Sequence, residues 1–423
     1  MFGKGALIFV AGFSLVFGMY QAKLNRLAVS ASDNFNYHYM NSFVHEASMT
    51  AMNFAINDVW ANDTDSTNFS VYQAPCSSAV IIRPIGSDTI KVKVTTKGKV
   101  FIDDYYEKHS SLFTMVDSIM AYFSYQIPMS KYFWFTNNEG NVFWFEGDTV
   151  WGPIHTNKNL KTWGNAVFYG KVTARRGITP DPSSAANQAD YFGGWEVGVD
   201  AAVPTDMTHL VSAAQTGNGG IPGLGGAAYN TMSLYNAELE LEFFSNGTVR
   251  RDVSGTVDTV AVATIAPTGV IHCTEDVHVS GTFNGELTIY SEDDVWIDDD
   301  IVYADDPLVN SSSDDILGLV AVDDIIVTDN AANNSDCEIQ ACIMSIGGSF
   351  QAEDHNTRGI AGDLEVTGSI VQHQRGPVGT FNAGTGMMTN GFSKKYYYDP
   401  RLVGLSPPNY PYVRSLRLVS WWE

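Results

Sequence analysis

At 423 residues and a formal net charge of −23, the chain has material for one large β domain or two to three ordinary ones. That charge argues against nucleic acid as a partner, which would need a basic footprint to displace counterions. The 38 glycines and 12% aromatic residues point to a mainly β body rich in turns.

The first element is a helix. From Ala6 to Tyr20 only Ser14 is polar, and a serine can return its hydroxyl to the carbonyl one turn back. The apolar residues Ala6, Leu7, Ile8, Phe9, Val10, Phe13, Leu15, Val16 and Phe17 suit lipid or sister helices. Gly5 to Tyr20 reaches about 24 Å, short of the roughly 30 Å hydrocarbon core, and Lys4 and Lys23 can snorkel to close the gap. Beyond it, Leu24, Leu27, Ala28, Ala31, Phe35, Tyr39, Phe43, Ala47, Ala51, Phe54, Ala55 and Val59 recur at steps of three and four, one apolar stripe. No proline precedes Pro75 and no glycine lies between Gly18 and Gly86. A single helix over residues 1–60, roughly 80 Å from Gly5 to Trp60, is therefore expected.

Lys4-Gly5 followed by this apolar run resembles the N-terminus of type IV pilin-like proteins, whose prepilin peptidase cuts after a glycine preceded by a basic residue. The resemblance implies processing at Lys4 and Gly5, insertion in the inner membrane before assembly, and packing through the helix with other pilin-like subunits or with itself. Major pilins carry a glutamate at the fifth position after the cut, where this chain has Val10. Some minor pilins lack it too, which favours a minor role. Two other readings stand beside this one: a plain membrane anchor, and a secretory signal cut near Ala31.

Residues 61–130 read as a small α+β region. Asn62 to Ser70 is turn-rich, a hinge. Val71-Tyr72, Ala79 to Ile82, Ile90 to Val94 and Lys99 to Ile102 read as strands, and Leu112, Met115, Val116, Ile119, Met120 and Phe123 as one face of a packed helix ended by Pro128.

Residues 131–260 read as hairpin-rich. Tyr132 to Phe135 and Val142 to Phe145 flank Asn137-Asn138-Glu139-Gly140, the pattern of a β-hairpin. Its aromatic rings serve either as a sugar-stacking surface or as sheet core. The string from Gly152-Pro153-Ile154-His155-Thr156-Asn157 to Gly170-Lys171-Val172-Thr173 resembles a domain of unassigned function found in bacterial envelope proteins with pilin-like N-termini. His155 has no Cys/His cluster or nucleophile motif beside it and reads as a turn histidine bonding backbone. Residues 179–229, with the glycine-rich run Gly217 to Gly226, read as a long insertion without a phosphate-loop ending. Leu239 to Phe244 and Thr248 to Arg250 form a hairpin about Asn246-Gly247.

From residue 261 the chain repeats short strands joined at Asp or Gly, and an Asp-Val/Ile-x-Val/Ile element recurs at Asp276, Asp294 and Asp324. Such units bury one another only by coiling, so 261–423 reads as a parallel β-helix-like solenoid. The tail, Lys394 to Leu402 and Pro407 to Pro411, belongs to the same envelope-domain resemblance and is expected to cap the open end of the coil. The fold class is thus mainly β: a long N-terminal α-helix, a small α+β region and a solenoid.

Acids are the main chemical temptation. Asp298, Asp300, Asp305 and Asp306 are calcium candidates, although they follow no EF-hand spacing, and calcium is the one cofactor left open. Paired acids on a β-helix also suit a polysaccharide lyase or hydrolase, but no Arg or Lys occurs between Arg251 and Arg358. Cys337 and Cys342, five apart, form either a local disulfide or buried free thiols. No Ser/His/Asp elbow, Cys/His dyad or cofactor fingerprint occurs.

Three functions remain. One is a non-enzymatic, minor-pilin-like subunit of a type IV pilus or secretion filament in the bacterial cell envelope, its acidic head in the periplasm or outside the cell for adhesion to a glycan or cell-surface ligand, or for capping. The second is a membrane-tethered carbohydrate-active β-helix enzyme, and the third a solenoid that polymerises through its heads.

Overall fold

The computed structural model describes residues 2–62, 66–85, 89–104, 109–145, 147–215, 234–382 and 387–423. The fold is mainly β with a long N-terminal helix, as expected. The chain divides into two compact units, one of residues 1–127 with 414–423 and one of residues 128–413.

Helix α1 spans Phe2–Asn62 without a break. Its expected stripe divides in two. Residues 3–39 are exposed apart from half-buried Val29 and Asp33, whereas Met40, Val44, Ala47, Ser48, Ala51, Met52, Ala55 and Val59 are buried. Phe54, expected on the stripe, is 56% exposed. The buried set follows one face of the helix at 3.6 residues per turn, and that face meets a sheet.

The sheet is built from β1 (Thr67–Gln73), β2 (Cys76–Ile85), β3 (Thr89–Asp104), β4 (His109–Pro128) and the C-terminal strand Tyr412–Trp422, in that order, with β1 to β4 antiparallel. Val80, Ile82, Ile90, Val92, Val94, Ile119, Ala121 and Phe123 alternate toward α1. Gly98 lets the helix close in, since a Cβ there would lie 2.5 Å from Val44 Cγ2. In the seam Ser78 and Thr96 hydroxyls bond each other at 2.7 Å.

Two expectations are corrected here. The apolar set from Leu112 to Phe123 is not a helix but the strand β4, because both sheet faces take apolar residues and pairing with β3 from His109 to Ser124 decides the conformation. The end of the chain does not finish as a cap on the coil; it becomes the fifth strand of this sheet. Part of the expected hinge, residues 63–65, lies outside the described residues, as do 216–233 with the glycine-rich run.

The second unit is a coil of parallel strands. One face stacks Leu234–Tyr235, Val270–Cys273, Glu286–Ser291, Ile316–Ala321, Cys337–Ser345, Ile360–Gln374, Trp134–Asn138, Ile154–Thr156, Val172–Ala174 and Trp195–Val197, each parallel to the next. A second face stacks Leu239–Phe244, Val277–Phe283, Val295–Tyr303, Ile325–Val327 and Phe350–Ala352. The longer strands bend onto a third face, where Ile360–Gln374 pairs Met388–Tyr398. At one such bend Gly281 has φ +101, and a Cβ would sit 2.3 Å from the Phe243 carbonyl oxygen. Inside, Phe283, Ile297, Leu319, Ile339, Ile343 and Leu364 belong to one continuous apolar cluster, the mutual burial that makes such a coil stable.

The rungs are not in chain order. The chain enters at Trp134 beside Ile370, builds outward to Trp195–Val197, resumes at the opposite end with Leu234–Tyr235 and fills back to Ile360–Gln374. The Met129 N–H donates to the Pro411 carbonyl at 2.9 Å, so this unit begins and ends side by side.

Residues 131–260 are therefore not hairpin-rich. Trp134–Asn138 pairs in parallel with Ile370 and Ile154 on either side, and Trp144 makes a parallel bridge to Thr162. The antiparallel part is the meander Leu239–Phe244, Thr248–Val253 and Thr256–Ala261, with the expected turn at Asn246-Gly247. The described start of the expected insertion contributes strands Asp190–Tyr191 and Trp195–Val197 and a helix, Thr208–Gln215. That helix and the segment Asp399 to Tyr410 cover the outside of the first face, where Leu210, Ala214, Leu402 and Tyr410 pack with Val270, Val320 and Cys342. The tail thus covers a side of the coil rather than its end.

Candidate functional site

The assembly residues named from sequence lie in the exposed part of α1. Leu7, Ile8, Phe9 and Phe13 are 68–75% exposed, and Val10, Leu15, Val16, Phe17, Leu24, Leu27 and Phe35 are exposed as well. Lys4, Gly5 and Ala6 are exposed helical residues. By length and composition α1 is able to cross a membrane, and none of its most apolar stretch is buried. Phe35, Tyr39 and Phe43 continue the surface as stacked rings with centroids 6.1 and 6.3 Å apart.

The acids of the repeat have a structural use. The Asp294 N–H donates to Asp276 Oδ1 at 3.1 Å, the Asp324 N–H to Asp294 Oδ1 at 2.7 Å, and the Ser349 N–H to Asp324 Oδ1 at 2.6 Å. The recurring aspartate is thus a ladder that satisfies the backbone at each corner. Carboxylate oxygens of Asp276, Asp293 and Asp294 lie within 4.8 Å of one another. Burial pushes the Asp294 and Asp293 carboxyls up, with neighbouring carboxylates adding to it.

The calcium candidates are held apart by other partners. Asp298 accepts from Thr328 at 2.7 Å and pairs with His278 Nδ1 at 2.8 Å. Burial would raise its pKa, but these two hydrogen bonds outweigh burial and lower it. Asp300 accepts the Glu338 N–H, Asp305 accepts from Asn310, and Asp306 accepts the Leu308 N–H. Among the described residues none of these four belongs to a cluster with metal-ligand geometry.

Cys337 and Cys342 are free buried thiols, which corrects the disulfide alternative. They lie on one strand, where five residues of extended chain span about 16 Å, far beyond the roughly 7 Å limit for bridging. Burial pushes both thiols to about 12.

His155 is a buried strand residue, not a turn residue. Nδ1 pairs with Thr173 Oγ1 at 2.7 Å and Nε2 with Asn157 Oδ1 at 2.9 Å, and the ring stacks on Phe135 with centroids 5.1 Å apart. Burial lowers its pKa. Phe133, Trp134, Phe135 and Trp144 are core, whereas Phe143 and Phe145 are partly exposed.

Sequence reasoning missed the buried charge where the first and last rungs meet. Arg375 Nη1 donates to Glu139 Oε2 at 3.0 Å, both side chains almost fully buried. Thr136 donates to the other Glu139 oxygen, and the guanidinium stands 5.1 and 4.4 Å from the Trp134 and Trp144 rings. No local signal pairs residues 236 positions apart.

No protein-family model and no curated protein matches this chain. Among solved structures, the competence-associated pilin ComZ from Thermus thermophilus aligns over 90% of this chain and 96% of its own, at 11% identity and a TM-score of 0.30. Likeness at that level carries no argument about this chain.

Proposed function

We infer that this protein is a structural, non-enzymatic subunit of a pilus-like or secretion filament in the bacterial envelope. Its helix is inserted in the membrane before assembly, then packed against helices of other pilin-like subunits or of further copies. The observation that carries this reading is the division of α1 at Met40: the same unbroken helix buries one face from there on and exposes its apolar part before it. Exposing that much contiguous apolar surface is unfavourable in water, and lipid or sister helices relieve it. Val10, where major pilins carry glutamate, supports a minor rather than a bulk role.

The coil is then a displayed head for adhesion or capping. Trp151, Tyr169 and Phe192 form an exposed stacked row on three rungs, with centroids 3.9 and 5.2 Å apart, which suits contact with a glycan or cell surface. The enzyme reading is disfavoured because the repeat acids Asp294 and Asp324 accept backbone N–H groups in the ladder. Intact mass and N-terminal sequencing of the protein from assembled filaments test the filament reading. A terminus at Ala6, with helix–helix cross-links through Phe9 or Phe13, is expected; a terminus at Ser32, after loss of residues 1–31, overturns it.

A further inference from the structure

The charge is unevenly placed. Residues 128–413 hold 13 Lys and Arg against 36 Asp and Glu, and the rest of the chain holds 11 against 11. The whole excess of −23 therefore belongs to the coil unit.

In the other unit, cations gather on one surface. β3 alternates Ile90, Val92 and Val94 toward α1 with Lys91, Lys93 and Lys97 on the opposite face. Lys93 and Lys97 are exposed, and Lys91 Nζ stands 5.7 Å from the Tyr122 ring centroid. Their register partners are Arg83, Ile81 and Ser77 on β2 and Tyr122, Met120 and Val116 on β4. None is acidic, and Arg83 sits directly opposite Lys91. Like charges opposite one another, or about 7 Å apart along a strand, repel. β3 runs between two strands, so the lysines are no guard against edge pairing. The same face exposes Tyr72, Ile81 and Val116 at 75, 41 and 59%, apolar area that docking would remove from water.

The acid ladder supplies a matching surface. Beside Asp276, Asp294 and Asp324 stand Glu275, Asp293 and Asp323, crowded enough that like charges help to raise the Asp293 pKa. A membrane surface fits less well. Met40, where the sheet begins to cover α1, is twenty residues past Tyr20, about 30 Å of helix. Screening at 0.1 M salt acts over about 10 Å.

We propose that the Lys91, Lys93 and Lys97 face of one copy docks on the Glu275, Asp293 and Asp323 corner of a second copy, so that neighbouring heads are joined by charge as well as by helices. It rests on the filament reading, which brings copies side by side. The test mixes isotopically light and heavy full-length protein in neutral detergent, applies a zero-length carboxyl–amine cross-linker, and maps mixed-isotope peptides. Intermolecular links between the two named sets are expected, falling at least about fivefold between 0.1 and 1 M salt, where the screening length drops from about 10 to about 3 Å. Lys91→Glu, Lys93→Glu and Lys97→Glu together remove them. Mixing that variant with Glu275→Lys, Asp293→Lys and Asp323→Lys restores them. Helix cross-links that persist while these links are absent, salt-insensitive or purely intramolecular overturn the docking and leave the filament reading standing. Loss of helix cross-links as well overturns both. Heparin binding that the lysine reversal abolishes, in a wild type that gives no intermolecular links between the two sets, identifies a polyanion site and overturns the proposal.

Discussion

The Asp294 carboxylate accepts the backbone N–H of Asp324, thirty residues along the chain, at 2.7 Å. Asp276 does the same for Asp294. The acid that recurs in the sequence is thus the bolt between consecutive corners of the coil, and this explains why aspartate recurs where its chemistry at first suggests catalysis.

Replacing Asp294 with Ala leaves the Asp324 N–H without its acceptor, at a cost of about 1–3 kcal/mol. Urea denaturation is expected to show this loss. Asp314→Ala, at an exposed acid outside the ladder, is expected to change stability by less than about 0.5 kcal/mol.

Arg375 and Glu139 form a buried pair. Arg375→Met alone strands a buried carboxylate and is expected to destabilise the head by about 3–5 kcal/mol. The double change Arg375→Met with Glu139→Gln is expected to cost less than that single one. A double-mutant cycle by chemical denaturation checks the sign.

His278 pairs with Asp298 and lies 3.5 Å from Glu238. Burial alone would lower its pKa, but Asp298, with Glu238 and Glu240, raises it above the ordinary 6.5. Its contribution is therefore complete below pH 6.5 and fades as pH rises through the folded value, while the lowered Asp298 carboxyl loses its share as pH falls below the ordinary 3.8. Melting of wild type against His278→Gln is expected to differ most below the ordinary 6.5 and to differ less as pH rises through the raised folded value. A difference that grows with pH would contradict this pairing.

Met52 is fully buried against the sheet and Phe13 is 68% exposed. Met52→Ala is expected to cost about 2–5 kcal/mol of stability. Phe13→Ala is expected to leave the melting of detergent-solubilised monomer unchanged while reducing assembly, as read by filament counts.

The coil was legible in part. Repeated Asp-Val/Ile elements show that short strands stack, because only coiling buries their apolar faces. That Trp134–Asn138 stacks on Ile360–Gln374 was not legible, since pairing across more than 230 residues leaves no local pattern. Nor was β4: Met115, Val116, Ile119, Met120 and Phe123 satisfy helical spacing, and the strand is imposed by β3 alongside it.

By itself the sequence determined the rod, because a run without proline and with glycines only at its apolar start has no reason to break, and the acid-rich turns, because aspartate satisfies corner backbone. Tertiary structure alone decided which half of the rod is covered, in what order the rungs stack, and that the tail completes a sheet begun at Thr67. Each depends on surfaces meeting from distant parts of the chain, where burial and register, not local preference, select the conformation.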